Sequence, residues 1–414
     1  MNSLSNIKKS SFIIFITTLF LFKLPNFYFI PILKTSFLTT HVLARVLLFL
    51  LFIFNIKQIV QLFSKNKIFF IILLLFLIQS FSISQGFNTI SFLSRYKEII
   101  VGFMAFYTAL LFRKKYRLVM DILLITTIFS AFIQLIFIIF PDILTQLFNQ
   151  LLYEKLQDLV VINLSRGRTY FETFDEIIIP VILYLLIRGK VRSKKFVLLP
   201  LFIIVAILAI VSGWRTRLVM LLFGSVVSVV FVKKRALYLF ILILTFMSLV
   251  FLSNFISIDS AISRFEPTED NTLSLESRIN QLNSAFLIVE NRLLGVGLGN
   301  YYDYLPNYEK NNKYLITDEL QQQQGSIAQE NVHNIFGLMA VESGIPAIII
   351  FVILLLFFVK NDYYLIRMKD YPKISFMIGF WIIFIYSFFN PLIPGVANYL
   401  FWFLRGYSII EIRK

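Results

Sequence analysis

The chain has 414 residues, 58% of them apolar, and a mean hydropathy of +0.81. Soluble domains are close to half apolar, so this is a multi-span membrane protein, whose apolar surface goes to lipid and to helix–helix contact. The charge of +16 does not imply nucleic acid, because the basic residues lie in short clusters between apolar runs; without cysteine there are no disulfides and no thiolate chemistry, and two histidines leave almost no room for a histidine-built metal site.

In chain order, membrane-helix runs are predicted near 11–33, 38–62, 68–85, 98–112, 118–140, 176–187, 196–212, 218–232, 236–254, 334–359, 374–390 and 396–410. Lys8 and Lys9 precede the first run and no small-residue cleavage site follows it, so it reads as an uncleaved span. Twelve spans put both termini on one side. The clusters Lys8/Lys9, Lys65/Lys67, Arg113-Lys114-Lys115 with Arg117, Arg188 to Lys195, Lys233-Lys234-Arg235, Lys360 to Lys373 and Arg413-Lys414 all fall on that side, which the positive-inside bias makes cytoplasmic. The expected fold class is an all-α polytopic membrane protein, a single membrane domain over 1–414 with one large extracytoplasmic loop, 255–332, containing short helices.

The outer face then receives tight turns at 31–37 and 391–397, short loops at 86–97 and 213–217, a longer one at 141–175, and the 255–332 stretch. Leu275, Ile279, Leu282, Phe286 and Val289 step by four, three, four and three, which predicts one apolar helix face lying on the membrane surface or on the span ends. Thr272 or Ser274 is its expected cap, and Gly295 lies past its end. The segment 307–329 is polar without periodicity and reads as a mobile cover.

Arginine on the outer face opposes the positive-inside bias, yet Arg166, Arg168, Arg215, Arg217, Arg264, Arg278 and Arg292 all fall there. Span-end arginines commonly snorkel to lipid phosphates. Two of them in the five-residue loop 213–217 fit a basic pocket better, since the guanidinium fork matches phosphate oxygens two at a time. His333 precedes an apolar run, at the outer start of a helix that Asn331 could cap. A helix N-terminus disfavours the protonated imidazole, which suits a general base; the alternative is an interfacial polar residue. Glu342, beside Gly344-Ile345-Pro346, reads as the structural partner of an arginine, on a span that is either kinked or broken there. His41 and Arg45 read as interfacial anchors, and Glu172, Asp175 and Glu176 as helix-start acids. Gly295 to Gly299 lacks the lysine and the strand–turn–helix setting of a phosphate loop, and reads as glycines that let a helix end pack closely.

These residues together resemble a known family. Ser212-Gly213-Trp214-Arg215, Arg278 in the long loop, Asn291-Arg292-Leu293-Leu294-Gly295-Val296-Gly297-Leu298-Gly299-Asn300, His333-Asn334 and Gly344-Ile345-Pro346 look like the O-antigen ligase and polysaccharide polymerase superfamily, over residues 205–360. The resemblance implies metal-independent, inverting glycosyl transfer in the bacterial cytoplasmic membrane, without a cofactor. The implied donor is a glycan on undecaprenyl pyrophosphate and the acceptor a sugar hydroxyl. Arg215 and Arg278 would hold the pyrophosphate, and His333 would activate the hydroxyl. Arg217, Arg168, Arg166, Arg264 and Asn334 are further substrate-binding candidates, and membrane lipids, flippase and chain-length regulator proteins are the implied partners. Trp214 stands where the family often has a small residue, and Glu172-Thr173-Phe174-Asp175-Glu176 replaces its usual glycine and asparagine after Arg168. Ile345-Pro346-Ala347 leans towards a polymerase over a ligase.

Other functions fit less well. A flippase of lipid-linked sugars would want charged or broken helices at mid-membrane, but here the charges gather at one face. The metal-dependent polyprenyl-sugar transferases place acids in the first outer loop, and Pro31 to Phe37 has none. A sensor would need an apolar core in the long loop.

Overall fold

Apolar chain in lipid must satisfy its own backbone hydrogen bonds, and a helix does so within one segment. The computed structural model of the protein describes residues 9–23, 39–63, 67–80, 89–139, 174–188, 195–211, 215–230, 269–301, 332–390 and 396–410. These form α1 (Lys9–Lys23), α2 (Thr40–Phe54), α3 (Ile56–Phe63), α4 (Lys67–Ser80), α5 (Thr89–Phe112), α6 (Tyr116–Ile139), α7 (Asp175–Ile187), α8 (Lys195–Val211), α9 (Arg215–Val230), α10 (Glu269–Asn291), α11 (Ile335–Met368), α12 (Tyr371–Tyr386) and α13 (Val396–Ser408), with a 3₁₀ turn at Arg113–Lys115. No extended strand occurs among the described residues.

Helix is found in the described part of every predicted run; 236–254 lies wholly outside the described residues, and 11–33, 68–85 and 218–232 lie partly outside them. Two stretches, Phe92–Ile136 through the 3₁₀ turn and Ile335–Met368, are long and apolar enough to cross a membrane, and several others are apolar but shorter. Several boundaries differ from expectation. Residues 89–97, expected in a loop, open α5. The expected loop from Lys360 is the last part of α11, which ends where Lys369 turns left-handed at φ 54°. α10 begins at Glu269 and runs for 23 residues, so it is not a short helix, and Thr272 and Ser274 lie within it rather than capping it.

Side-chain contacts sort the helix ends into two layers. In one layer Tyr107 lies a turn and a half above Phe112, whose carbonyl accepts from the Tyr407 hydroxyl at 3.1 Å. There too Arg405 meets Asp362 at 2.8 Å, Asn361 donates to the Ser408 carbonyl at 3.0 Å, and Arg188 lies 4.7 Å from the Tyr371 ring centre. In the other layer Asn398 donates to the Glu98 carbonyl at 2.6 Å, Lys23 meets Asp175 at 2.9 Å, and the Ile335 amide donates to the Ser387 carbonyl at 2.9 Å. These contacts put the C-terminal ends of α5, α7, α11 and α13 in the first layer with the start of α12, and their N-terminal ends in the second with the ends of α1 and α12. The basic residues Arg113 to Lys115 and Arg188 share the first layer, and His333 belongs to the second. Between the layers the core is aromatic, as where Phe15 stacks on Phe112 at 4.3 Å and Phe22 on Tyr399 at 4.1 Å. α5 and α13 pack most closely: a methyl group added at Gly102 would lie 2.5 Å from the Trp402 ring.

Candidate functional site

Three segments meet around His333: α10, the glycine run that follows it, and the first turns of α11. A small core of Ala285, Ile288, Val289, Val296, Val332 and Val341 holds them together, apart from the main helix core. The buried face of α10 is Gln281, Ser284, Ala285, Ile288 and Val289, so it includes one residue of the predicted stripe, with Leu282 half-buried beside it. Ile279 and Phe286 of that stripe are 50% and 60% exposed. The stripe thus divides: Leu282 and Val289 pack into the small core with α11, and Ile279 and Phe286 face outward.

The glycine run and the Gly344 break form one unit. Gly344 has φ 75° and ψ −177°, a conformation essentially confined to glycine, and it divides α11 into a short helix from Ile335 and a long one beyond. A break orphans carbonyls before it and amides after it. Here the glycine run supplies their partners. The Val296 and Gly297 amides donate to the Val341 and Glu342 carbonyls at 2.7 and 3.1 Å, and the Ile345 amide donates to the Leu293 carbonyl at 2.9 Å. The approach is backbone on backbone. An added Cβ at Gly344 would meet the Leu293 oxygen at 2.4 Å, and one at Gly295 the Gly344 nitrogen at 2.7 Å. The expected close-packing role of these glycines, and the broken form of the helix, are what the structure has.

Asn334, not Asn331, caps α11: its side-chain oxygen accepts from the Phe336 and Gly337 amides at 2.9 and 3.1 Å. Asn331 itself lies outside the described residues. That oxygen is occupied by the cap, and the side-chain amide nitrogen donates to the Phe388 carbonyl at 3.4 Å. The cap leaves His333 just outside the helix start. Its Nδ1 lies 2.9 Å from Oε1 of Gln281, a residue only 4% exposed. Gln281 follows Arg278 by three residues on α10, so the two share a side of that helix. In the tautomer that protonates Nδ1, that nitrogen donates to the amide oxygen and Nε2 carries the lone pair. Gln281 was not foreseen; its three-residue spacing from Arg278 was the available signal.

The remaining arginines divide clearly. Arg217 turns into the helix bundle and is 7% exposed. It pairs with Glu176 in a short contact and donates to Gln134 at 3.1 Å. Gln134 also donates to Asp175, which Lys23 meets at 2.9 Å and Ser130 in a short contact. Asp175 and Glu176 do open α7, as helix-start acids, and each is also matched by a buried cation. Arg45 pairs with Glu98 at 2.8 Å instead of anchoring to an interface. Arg95, unremarked in the sequence because it fell in an expected loop, grips Glu342 through Nε and Nη2 at 2.7 and 2.8 Å. Glu342 also accepts from the Gly299 amide at 3.0 Å, so its expected pairing with an arginine holds. Arg215 stands at the first residue of α9, two before Arg217. Arg166, Arg168 and Arg264 lie outside the described residues, as do 213, 214 and the polar segment 307–329.

The fold and this arrangement define a helical membrane-type protein whose His333, Arg95 and Arg217 belong to one layer of helix ends. Residues 200–352 match a family model described as O-Antigen ligase. The matched segment carries α9 with its two arginines, α10, the glycine run and the start of the His333 helix, and over it the chain is similar to the O-antigen ligase family. At family level that supports glycosyl transfer by an enzyme acting on lipid-linked glycan in a membrane. No curated protein matches the chain.

Proposed function

We propose that the protein transfers a glycan from undecaprenyl pyrophosphate to a sugar hydroxyl at the outer face of the bacterial cytoplasmic membrane, with inversion and without a metal. The observation that carries this reading is the His333–Gln281 contact. An imidazole whose Nδ1 donates to a buried amide oxygen presents Nε2 as a base in a fixed orientation. In the proposed step the acceptor hydroxyl gives its proton to Nε2 as its oxygen attacks the anomeric carbon. The bond from that carbon to the pyrophosphate oxygen breaks on the opposite face, and the leaving group departs with the electron pair. Arg215 and Arg278 meet the charge that develops there, the part a metal plays elsewhere. The helix start beside His333 adds partial positive charge to the same region.

Arg217 has a different part in this scheme. Its fork faces Glu176, so it supports α9, on which Arg215 is the first residue. Arg166, Arg168 and Arg264 remain proposed substrate contacts through the family resemblance alone. The sequence Ile345-Pro346-Ala347 after the break favours polymerisation of repeat units into a surface polysaccharide, with flippase and chain-length regulator proteins as partners. Transfer of finished glycan to a final acceptor is the second reading.

Deletion of the protein in its own host separates these two. Single repeat units accumulating on lipid mark a polymerase, and long lipid-linked chains never attached to an acceptor mark a ligase. His333→Ala and Arg278→Ala each abolish surface glycan while the protein still reaches the membrane. Arg278→Lys also loses most activity, because lysine has no fork. Normal glycan from these variants would overturn the assignment.

A further inference from the structure

A cavity lies on the other side of the His333 helix from α10, and the chemistry proposed above does not use it. Ile335, Leu338, Met339 and Glu342, one face of that helix, form one wall, and α4, α5 and α13 form the rest. Its polar lining is Gln79, Arg95, Glu98, Glu342 and Asn398, with Trp402 beside them. Glu98 is the informative residue. It is 8% exposed; its Oε1 takes the ion pair with Arg45, while its Oε2 is buried with no hydrogen-bond partner among the described residues. A buried carboxylate oxygen without a donor is costly, and the cavity is where a donor can come from.

The lining also says which ligand fits. Both arginines here already face carboxylates, Arg95 bidentate on Glu342 and Arg45 on Glu98. Arg95, the arginine of the lining, is already gripped by Glu342, so a pyrophosphate would meet two carboxylates, Glu98 and Glu342, before any open cation of the lining. An isoprenoid tail would leave Glu98 Oε2 unsatisfied. A neutral sugar answers each feature: its hydroxyls donate to Glu98 and exchange hydrogen bonds with the Gln79 and Asn398 amides, and its C–H face lies on Trp402. We infer that this cavity is a subsite for a neutral saccharide of the acceptor glycan, fixed by Glu98. The inference rests on the proposed transfer reaction for its biological sense, and on the cavity alone for its chemistry.

The test reads occupancy separately from catalysis. A diazirine-bearing lysine analogue replaces Gln79 in the full-length protein, in host cells making their own glycan, and the cells are illuminated. The purified protein is then treated with mild acid, which cleaves sugar-1-pyrophosphate bonds, and probed by periodate–hydrazide labelling. Sugar held in the cavity leaves glycan on the protein after acid. The same adduct forms in a His333→Ala background, where transfer is blocked. Glu98→Gln lowers the adduct about tenfold, the loss expected for one charged hydrogen bond. Trp402→Phe, which keeps a ring and the packing, lowers it less. Glycan lost on acid treatment would show that the cavity holds the lipid end and would overturn the proposal, as would no adduct at all, or an adduct unchanged by Glu98→Gln. If His333→Ala leaves transfer intact but the acid-stable adduct forms, the catalytic assignment fails and the saccharide site stands.

Discussion

An arginine holds a phosphate well only when no carboxylate already holds the arginine. At the residue scale this criterion separates side chains that looked alike in the sequence. Arg217 and Arg215 are two positions apart, yet Arg217 is engaged by buried Glu176. Removing one member of a buried pair leaves an uncompensated charge, so Glu176→Ala destabilises the protein by about 3–5 kcal/mol. Thermal aggregation in detergent measures this. The double variant Arg217→Met/Glu176→Leu regains that stability and keeps transfer activity, since both charges leave together. Loss of activity in a stable double variant would return Arg217 to the phosphate. Gln281 is argued at the same scale. Gln281→Ala frees the imidazole to turn and lowers the transfer rate about tenfold. Gln281→Glu keeps an acceptor for Nδ1 and retains activity, but its charge favours the protonated ring. The acid limb of the rate–pH profile, where protonated base is inactive, then moves to higher pH. A purely structural role for Gln281 would leave that limb in place.

At the scale of elements, the sequence announced the glycine run and the Gly344–Pro346 break separately, and could not say that one satisfies the backbone of the other. Four hydrogen-bonding groups of α11 meet the run: the Val341 and Glu342 carbonyls, the Ile345 amide and the Glu342 side chain. Gly344→Ala therefore carries a strained backbone conformation, about 1–3 kcal/mol, and a clash with the Leu293 carbonyl. Its expected result is protein that inserts normally but loses transfer, because the His333 helix no longer sits on α10. Protease sensitivity between α10 and α11 checks the displacement; unchanged sensitivity with full activity would count against this coupling. α10 shows the opposite limit of reading a sequence. A periodic apolar stripe is a guide to the buried face only where burial is against protein. Ile279 and Phe286 are exposed here, whereas Leu282 and Val289 of the same stripe pack beside Ala285 and Ile288, a division that periodicity cannot single out.

For the whole molecule, the apolar runs made the positions of the described helices legible, because they follow from a simple constraint of lipid on a chain. The pairs Asn398–Glu98 and Tyr407–Phe112 tie α5 and α13 together towards their N-terminal and C-terminal ends respectively, as parallel neighbours require. The lateral arrangement was not legible. Which helix meets which depends on pairings such as Lys23–Asp175 and Arg95–Glu342, whose partners are 152 and 247 residues apart. The orientation itself is testable without background labelling, because the chain has no cysteine. Lys115→Cys and Lys369→Cys react with an impermeant maleimide only after the cells are opened, and Asn291→Cys reacts in intact cells. The reverse pattern would place the His333 layer on the cytoplasmic side and remove the proposed substrate from reach.

The most direct measurement of the central claim is single-turnover glycan transfer by the purified protein in proteoliposomes, from an undecaprenyl-pyrophosphate-linked repeat unit, comparing wild type with His333→Ala. Loss of the base is expected to lower the transfer rate about 10²–10⁴-fold, with donor binding retained. A His333→Ala protein that transfers at the wild-type rate would contradict the account.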